Sequence, residues 1–302
     1  MGTRINGLKL TKVVDGDTVK VEIEGQQESL RLICIDTEES HAGGSKPVTN
    51  AGKEASQLAK GYFGCDEQGL PQSDVRVDIE FDTSDPEHVC LQRHRGNYGR
   101  LLCYVHKNGE NYNLKTVREG WSPYFVKYGR SRLYHEAFLA AEAAAQSTAL
   151  MIWDPETNAG GASRDYGALI PWWNLRDSVV VDYRDKGLQA GVLSVRLDYA
   201  DIEATANNEN RVTVLCDLQG GINRWPGDGA LIFAGSPTHK FNLWIPDRAD
   251  DPAQAILRLI EKRYAGHGRG YVYVSGQASL HSGKPQIVLT DIAQLSDIPP
   301  NA

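Results

Sequence analysis

Two short stretches, Asp15-Gly16-Asp17-Thr18 and Arg31-Leu32-Ile33-Cys34-Ile35-Asp36-Thr37-Glu38-Glu39, put several carboxylates, one arginine and a tight turn within 25 residues. A second arginine follows in Asn97-Tyr98-Gly99-Arg100. Carboxylate and carbonyl oxygens hold hard cations, and the planar guanidinium fork matches two phosphate oxygens. Together these groups point to metal-assisted cleavage of a phosphodiester. Each residue also has an ordinary structural reading. Asp-Gly between alternating runs is a hairpin turn. Arg31, inside an apolar strand, needs a partner such as Glu39, and Arg100 invites the same choice. If Asp36 returns across the strands to Asp17, the two carboxylates repel unless a proton or a cation is shared. Asp17, Asp36 and the Thr37 carbonyl would then offer Ca²⁺ three protein ligands. Glu39 would orient or deprotonate a water, or pair with an arginine.

The elements that must position these groups follow from alternation. Leu8–Val14, Thr18–Ile23 and Glu28–Ile35 alternate and are joined by short turns, which predicts an antiparallel meander. A helix is expected over Asn50–Phe63, with Gly64 as its stop. Strands are expected over Val75–Phe81 and Arg100–His106, and helices over Asn113–Glu119 and Ser131–Ala149. This pattern predicts an α+β, mostly β domain, a small OB-like barrel with packed helices. Pro155, Gly160, Gly161, Ser163 and Gly167 mark a linker, and Trp172-Trp173 should pack at the domain junction. In the second half Gly191–Tyr199, Arg211–Cys216, Lys240–Ile245, Gly270–Ala278 and Gln286–Thr290 read as strands. One helix interrupts them, capped by Asp251 with Pro252 in its first turn. The expected organisation is therefore 1–154, a linker and Trp-rich junction over 155–185, and a second OB-like barrel over 186–298.

Composition narrows the class. The chain has 302 residues, 41% hydrophobic and 24% charged, with a net charge of −7. Residues 1–155 hold 18 Lys/Arg against 22 Asp/Glu, and the remainder 14 against 17, so neither half is basic. Any grip on nucleic acid must be local or cation-assisted. No apolar run spans a bilayer, and no membrane or protein partner is expected. Met1–Asn6 lacks a signal core, which predicts a cytoplasmic protein, or a secreted one whose signal has been removed. The five cysteines read as reduced thiols, Cys34 and Cys103 as small core residues, with Cys65 and Cys90 as the one pairing to test.

As a set, these motifs resemble the staphylococcal nuclease (thermonuclease) family. The resemblance rests on Val13–Val19, Leu30–Glu39 and Tyr98–Arg100. It continues through Ala51-Gly52-Lys53-Glu54-Ala55, Val117-Arg118-Glu119-Gly120-Trp121 and the helix ending Ile152-Trp153. It covers roughly residues 8–154, about one domain. It implies Asp17, Asp36 and the Thr37 carbonyl as Ca²⁺ ligands, with Asp15 as a supporting acid. It implies Arg31 and Arg100 as phosphate-binding residues and Glu39 as the group acting on the attacking water. Tyr128 falls near a substrate-stacking tyrosine of the family, and Tyr98 is a second aromatic candidate. The implied activity is Ca²⁺-dependent hydrolysis of DNA or RNA to 5′-hydroxyl and 3′-phosphate ends. Two departures stand out: Glu38 replaces the usual proline, and the net charge is acidic.

Arg93-His94-Arg95 reads as a solvated basic loop near the cleft. Lys127, Arg130 and Arg132 with Tyr128 form a patch suited to a single-stranded base and its phosphates. In the second half Tyr271, Tyr273 and Lys284 are candidates for nucleic-acid contact, or structural residues. The expected protein is a nuclease domain followed by an OB-like nucleic-acid-binding domain. Its rival is a catalytically silent nucleic-acid-binding or protein-interaction scaffold.

Overall fold

The computed structural model describes residues 1–41, 48–156, 164–218, 222–224, 227–266 and 268–300. The chain divides into two compact units. The first comprises Met1–Gly96, Arg100–Val126 and Arg130–Leu169, and the second Asn97–Gly99, Lys127–Gly129 and Ile170–Ala302.

In the first unit β1 (Arg4–Asp15), β2 (Thr18–Ile23) and β3 (Gln26–Leu32) form the expected meander. Alternation sends Leu10, Val13, Val19, Val21, Leu30 and Leu32 inward, where they are fully buried. β1 serves two neighbours. Residues 4–9 pair with β4 (Arg76–Glu80), and residues 9–15 pair with β2. β3 runs parallel to β5 (Leu101–Lys107), which pairs with β4 in turn. The ring β1-β2-β3-β5-β4 is therefore closed, and β6 (Glu110–Asn111) extends β5. Closure removes the free edges on which strands aggregate. Packed with it are α1 (Asn50–Phe63), α2 (Glu87–Arg93), α3 (Tyr112–Arg118) and α4 (His135–Ser147). The unit is α+β, as expected.

Several boundaries differ for local reasons. β3 stops at Leu32, before the expected Ile35, because Cys34 is left-handed at φ 63° and the chain turns there. α4 begins at His135 rather than Ser131. The Ser131 hydroxyl accepts from the Leu133 and Tyr134 amides, and Asp82 accepts from the Arg132 amide, which holds 131–134 as a capped turn. All five cysteines are free, Cys65 and Cys90 included. Among the described residues no helix is long and apolar enough to cross a membrane.

The segment expected as linker and junction holds α5 (Tyr166–Asp182), with Pro171 in its second turn. Trp173 is buried, and Trp172 Nε1 donates to the Gly268 carbonyl at 2.8 Å. Gly160, Gly161 and Ser163 lie outside the described residues. The second unit is built on β7 (Leu193–Ser194), β8 (Arg211–Asp217), β9 (Ile222–Arg224), β10 (Ala230–Phe233) and β11 (Asn242–Ile245). These are followed by β12 (Tyr271–His281), β13 (Lys284–Val288) and β14 (Leu295–Ser296). Seven of them run in the order β7-β8-β12-β13-β11-β10-β9, with β14 beside β12. β11 and β13 are parallel, as β3 and β5 are in the first unit.

The strand expected over 191–199 shrinks to β7. The Leu197 and Asp198 amides both turn back to the Ser194 carbonyl, and the Asp198 carboxylate accepts from the Ser194 amide. This closes a turn that leads into α6 (Tyr199–Asn207). α7 (Asp251–Leu259) has Pro252 in its first turn, but its cap position is Asp250 rather than Asp251. Ile256 and Ile260 pack with Val272, Val274 and Ile287 in this unit's core.

Candidate active site

The site is built where the β1–β2 turn meets the chain leaving β3. Asp15 ends β1 opposite Thr18, and its Oδ1 accepts from the Asp17 amide at 3.1 Å. Gly16 is required here. A Cβ on it would stand 2.7 Å from Thr37 Cγ2, so the hairpin turn lies directly on the residue after Asp36. Thr18 Oγ1 donates to Asp17 Oδ1 at 2.9 Å. Asp17, Asp36 and Thr37 are all buried.

Arg31 sits on β3 between Leu30 and Leu32, opposite Thr18 of β2 and Leu102 of β5. Its guanidinium joins the two acids: Nη1 lies 3.0 Å from Asp17 Oδ2 and Nη2 lies 2.6 Å from Asp36 Oδ1. Nη1 also donates to the Leu32 and Ile35 carbonyls. Arg31 thus pairs with both aspartates. Arg100 reaches the same place from the start of β5, donating from Nη1 to Thr18 Oγ1 at 3.2 Å. Burial and the neighbouring Asp17 carboxylate push Asp15 up to about 7, with its bond from the Asp17 amide opposing.

Glu39 is positioned through its backbone. Its carbonyl accepts from the Thr49 amide at 3.2 Å, and Thr49 caps α1 by accepting from the Gly52 amide at 2.9 Å. A Cβ on Gly52 would lie 2.2 Å from the Glu39 carbonyl oxygen, so α1 carries this segment in direct contact.

One group was missed. The Arg164 guanidinium lies on Asp36, with Nη1 on Oδ2 and Nη2 on the Asp36 carbonyl oxygen. Arg164 is separated from Asp36 by 128 residues and follows a stretch that reads only as glycine-rich linker. Its anchor is Glu38, buried at 3% exposure. Glu38 Oε1 accepts from the Tyr166 hydroxyl at 2.7 Å and from the Arg164 amide at 3.3 Å. The replacement of proline at 38 was the one signal in the sequence, and it gave no partner.

Asp17, Asp36 and Thr37 make an all-oxygen donor set suited to a hard divalent cation. Arg31 and Arg164 already place positive groups on these acids, as stand-ins for such a charge. Among the described residues no three His, Cys, Asp or Glu side chains converge to hold a metal. Carbonyl, water and phosphate oxygens would have to complete the shell.

Tyr98 and Tyr128 group with the second unit; Tyr98 is 72% exposed, and Lys127 Nζ lies over the Tyr128 ring at 5.4 Å. The Arg93–Arg95 stretch closes α2 instead of forming a solvated loop. Arg95 forms a fork with both Glu28 oxygens, and His94 pairs with Asp85 at 2.9 Å. In the second unit Tyr273 is a core residue, and Tyr271 lies under the Arg176 guanidinium at 4.1 Å. Neither forms a bare stacking surface.

A family model for staphylococcal nuclease homologues matches residues 29–155. The β1–β2 turn precedes that match and joins the site through Arg31. Over 146 residues the chain is 32% identical to the thermonuclease of Staphylococcus hyicus, spanning 48% of this chain and 74% of that one. It is 30% identical over 145 residues to the thermonuclease of Staphylococcus intermedius, spanning 47% and 73%. Against endonuclease YncB of Bacillus subtilis the identity is 28% over 150 residues, spanning 50% of this chain and 63% of the relative. With this identity carried across nearly three quarters of two relatives, the chain belongs to the family of staphylococcal nuclease homologues.

Proposed function

We propose that the first unit is a nuclease site hydrolysing phosphodiesters of DNA or RNA, with single-stranded nucleic acid as its favoured substrate. The observation that carries this reading is the meeting of Asp17, Asp36, Arg31 and Arg100 around Thr18 at one end of a closed barrel. Asp17, Asp36 and the Thr37 carbonyl would hold Ca²⁺, with Asp15 in support. Bound there, the cation would supply charge neutralisation and Lewis-acid polarisation of the phosphate. Arg31 and Arg100 donate to the phosphate oxygens that gain charge as phosphorus becomes five-coordinate. Glu39 orients the attacking water and accepts its proton. Departure of the 5′ oxygen leaves a 5′-hydroxyl and a 3′-phosphate. The second unit, with its parallel β11–β13 pair inside an otherwise largely antiparallel path, is read as an OB-type module that holds nucleic acid.

The test is cleavage of a fluorescent single-stranded DNA, with an RNA control, in Ca²⁺ or chelator, by wild type and Glu39→Ala. Ca²⁺-dependent cutting lost in the variant supports the assignment. Absence of cutting by folded wild type on both substrates moves the case to the silent scaffold. The Arg164 guanidinium on Asp36 is the observation that favours that rival.

A further inference from the structure

Arg164 and Tyr166 lie beyond the residues that match the family model, yet within the first unit and directly on its candidate cation site. Two features distinguish this contact from a surface ion pair. The first is what the guanidinium covers: one carboxylate oxygen of Asp36 and the carbonyl oxygen of the same residue. The second is that the docking is built. The Arg164 side chain is only 9% exposed. Glu38 Oε1 accepts from both the Arg164 amide and the Tyr166 hydroxyl, and Arg164 Nη2 donates to that hydroxyl at 3.3 Å. The Tyr166 ring packs against Trp153, with centroids 5.3 Å apart. One part of the fit is incomplete: Arg164 Nε, 3.8 Å from Glu38 Oε1, makes no hydrogen bond. The grip is specific but leaves a donor unused.

We propose that Arg164 is a tethered competitor for the cation: anchored by Glu38 and Tyr166, it occupies Asp36, and a divalent ion loads the site only by displacing it. The inference rests on the reading of Asp17, Asp36 and Thr37 as the cation ligands. It deepens that reading, because a guanidinium and Ca²⁺ cannot share one carboxylate oxygen at contact distance. Arg164 and Asp36 are on one chain, so their docking does not depend on protein concentration, and its effect on apparent cation affinity is set by the docked fraction. A segment docked about nine-tenths of the time weakens apparent cation affinity about tenfold.

The experiment is a calorimetric Ca²⁺ titration of the 302-residue chain, without nucleic acid, comparing wild type with Arg164→Gln, Tyr166→Phe and Asp36→Asn. Arg164→Gln should bind Ca²⁺ about tenfold more tightly than wild type. Tyr166→Phe keeps the ring but loses the bond to Glu38, and should fall between them. It also serves if Arg164→Gln does not fold. Asp36→Asn should lose binding. If the Arg164 and Tyr166 variants bind no more tightly than wild type while Asp36→Asn still loses binding, the competitor is overturned and the cation site survives. If Asp36→Asn binds Ca²⁺ like wild type, the site reading fails and the proposal falls with it.

Discussion

Gly52→Ala should disable the site from inside a helix that carries no candidate catalytic side chain. The new Cβ would lie 2.2 Å from the Glu39 carbonyl oxygen, 2.5 Å from its carbonyl carbon and 2.7 Å from that of Glu38. Real Cβ contacts begin near 3.0 Å, so 3.0 − 2.2 gives a retreat of at least about 0.8 Å for the Glu39 backbone. The obstacle is main chain, which no rotamer change relieves. Displacing a reacting group by about 1 Å can lower the rate roughly a hundredfold, and that is the expected loss in kcat. The effect on stability is smaller. Helix propensity favours alanine by about 1 kcal/mol, while overpacking costs about 1–3 kcal/mol, leaving a net loss of about 0–2 kcal/mol.

Gly61→Ala is the matched control. It lies in the same helix, exposed, with nothing within 4 Å of the added Cβ. It should stabilise by about 0.5–1 kcal/mol, raise Tm by about 2–4 °C per kcal/mol, and leave the rate unchanged. Initial rates on a fluorescent oligonucleotide in saturating Ca²⁺, with thermal melts of all three proteins, make the comparison. A Gly52→Ala protein that cleaves at the wild-type rate would refute the argument that α1 fixes Glu39 through this contact.

Glu39→Gln should lower cleavage about a hundredfold or more with an unchanged melt; a large drop in Tm would show that Glu39 is structural. Arg31→Lys keeps the charge but cannot span Asp17 and Asp36 with one planar fork, so turnover should fall about tenfold or more, as steady-state kinetics would reveal. Glu80 is fully buried and accepts from Arg4, His106, Tyr134 and the Gly2 amide. Glu80→Gln should therefore destabilise by about 1–3 kcal/mol, read by urea unfolding. Hydrogen bonding from Arg263, with Tyr264 adding and burial opposing, holds the Asp297 carboxyl below the usual carboxylate range. A depressed folded pKa stabilises above the unfolded value of roughly 3.9 and is lost as pH falls through the folded one. Asp297→Asn should therefore trail wild type in unfolding midpoint at neutral pH, with the gap narrowing as pH falls below roughly 3.9; a gap that stays constant as pH falls would show that the charge is not responsible.

Local pattern made much of this molecule legible. α1 was readable to the residue, because Ala51, Ala55 and Ala59 repeat at helical spacing and a left-handed Gly64 ends the run. The Asp15–Thr18 turn and the meander were readable because each depends on neighbours in sequence. The failures share a cause. Residues 191–199 alternate like a strand, but side-chain and backbone bonds to Ser194 close a turn, and α6 begins where the strand was expected to end. Gly167 read as linker and Pro171 as part of the Trp-rich run after it, yet both lie within α5, whose Trp173 is buried. Arg164 gave no local signal, since its meaning depends on a carboxylate 128 residues away.

The place of Arg31 between Leu30 and Leu32 also bears on how errors in folding are policed. Successive residues of a strand face opposite sides, so a slip of one position between β2 and β3 would turn Arg31 into the barrel and expel two leucines. The same slip would break the closure of the ring at β5. A chain that misplaces its arginine therefore fails to close its core, and is exposed to proteolysis and aggregation. Quality control on the barrel is thereby quality control on the site, and a well-folded population with this one arginine misaligned should not accumulate.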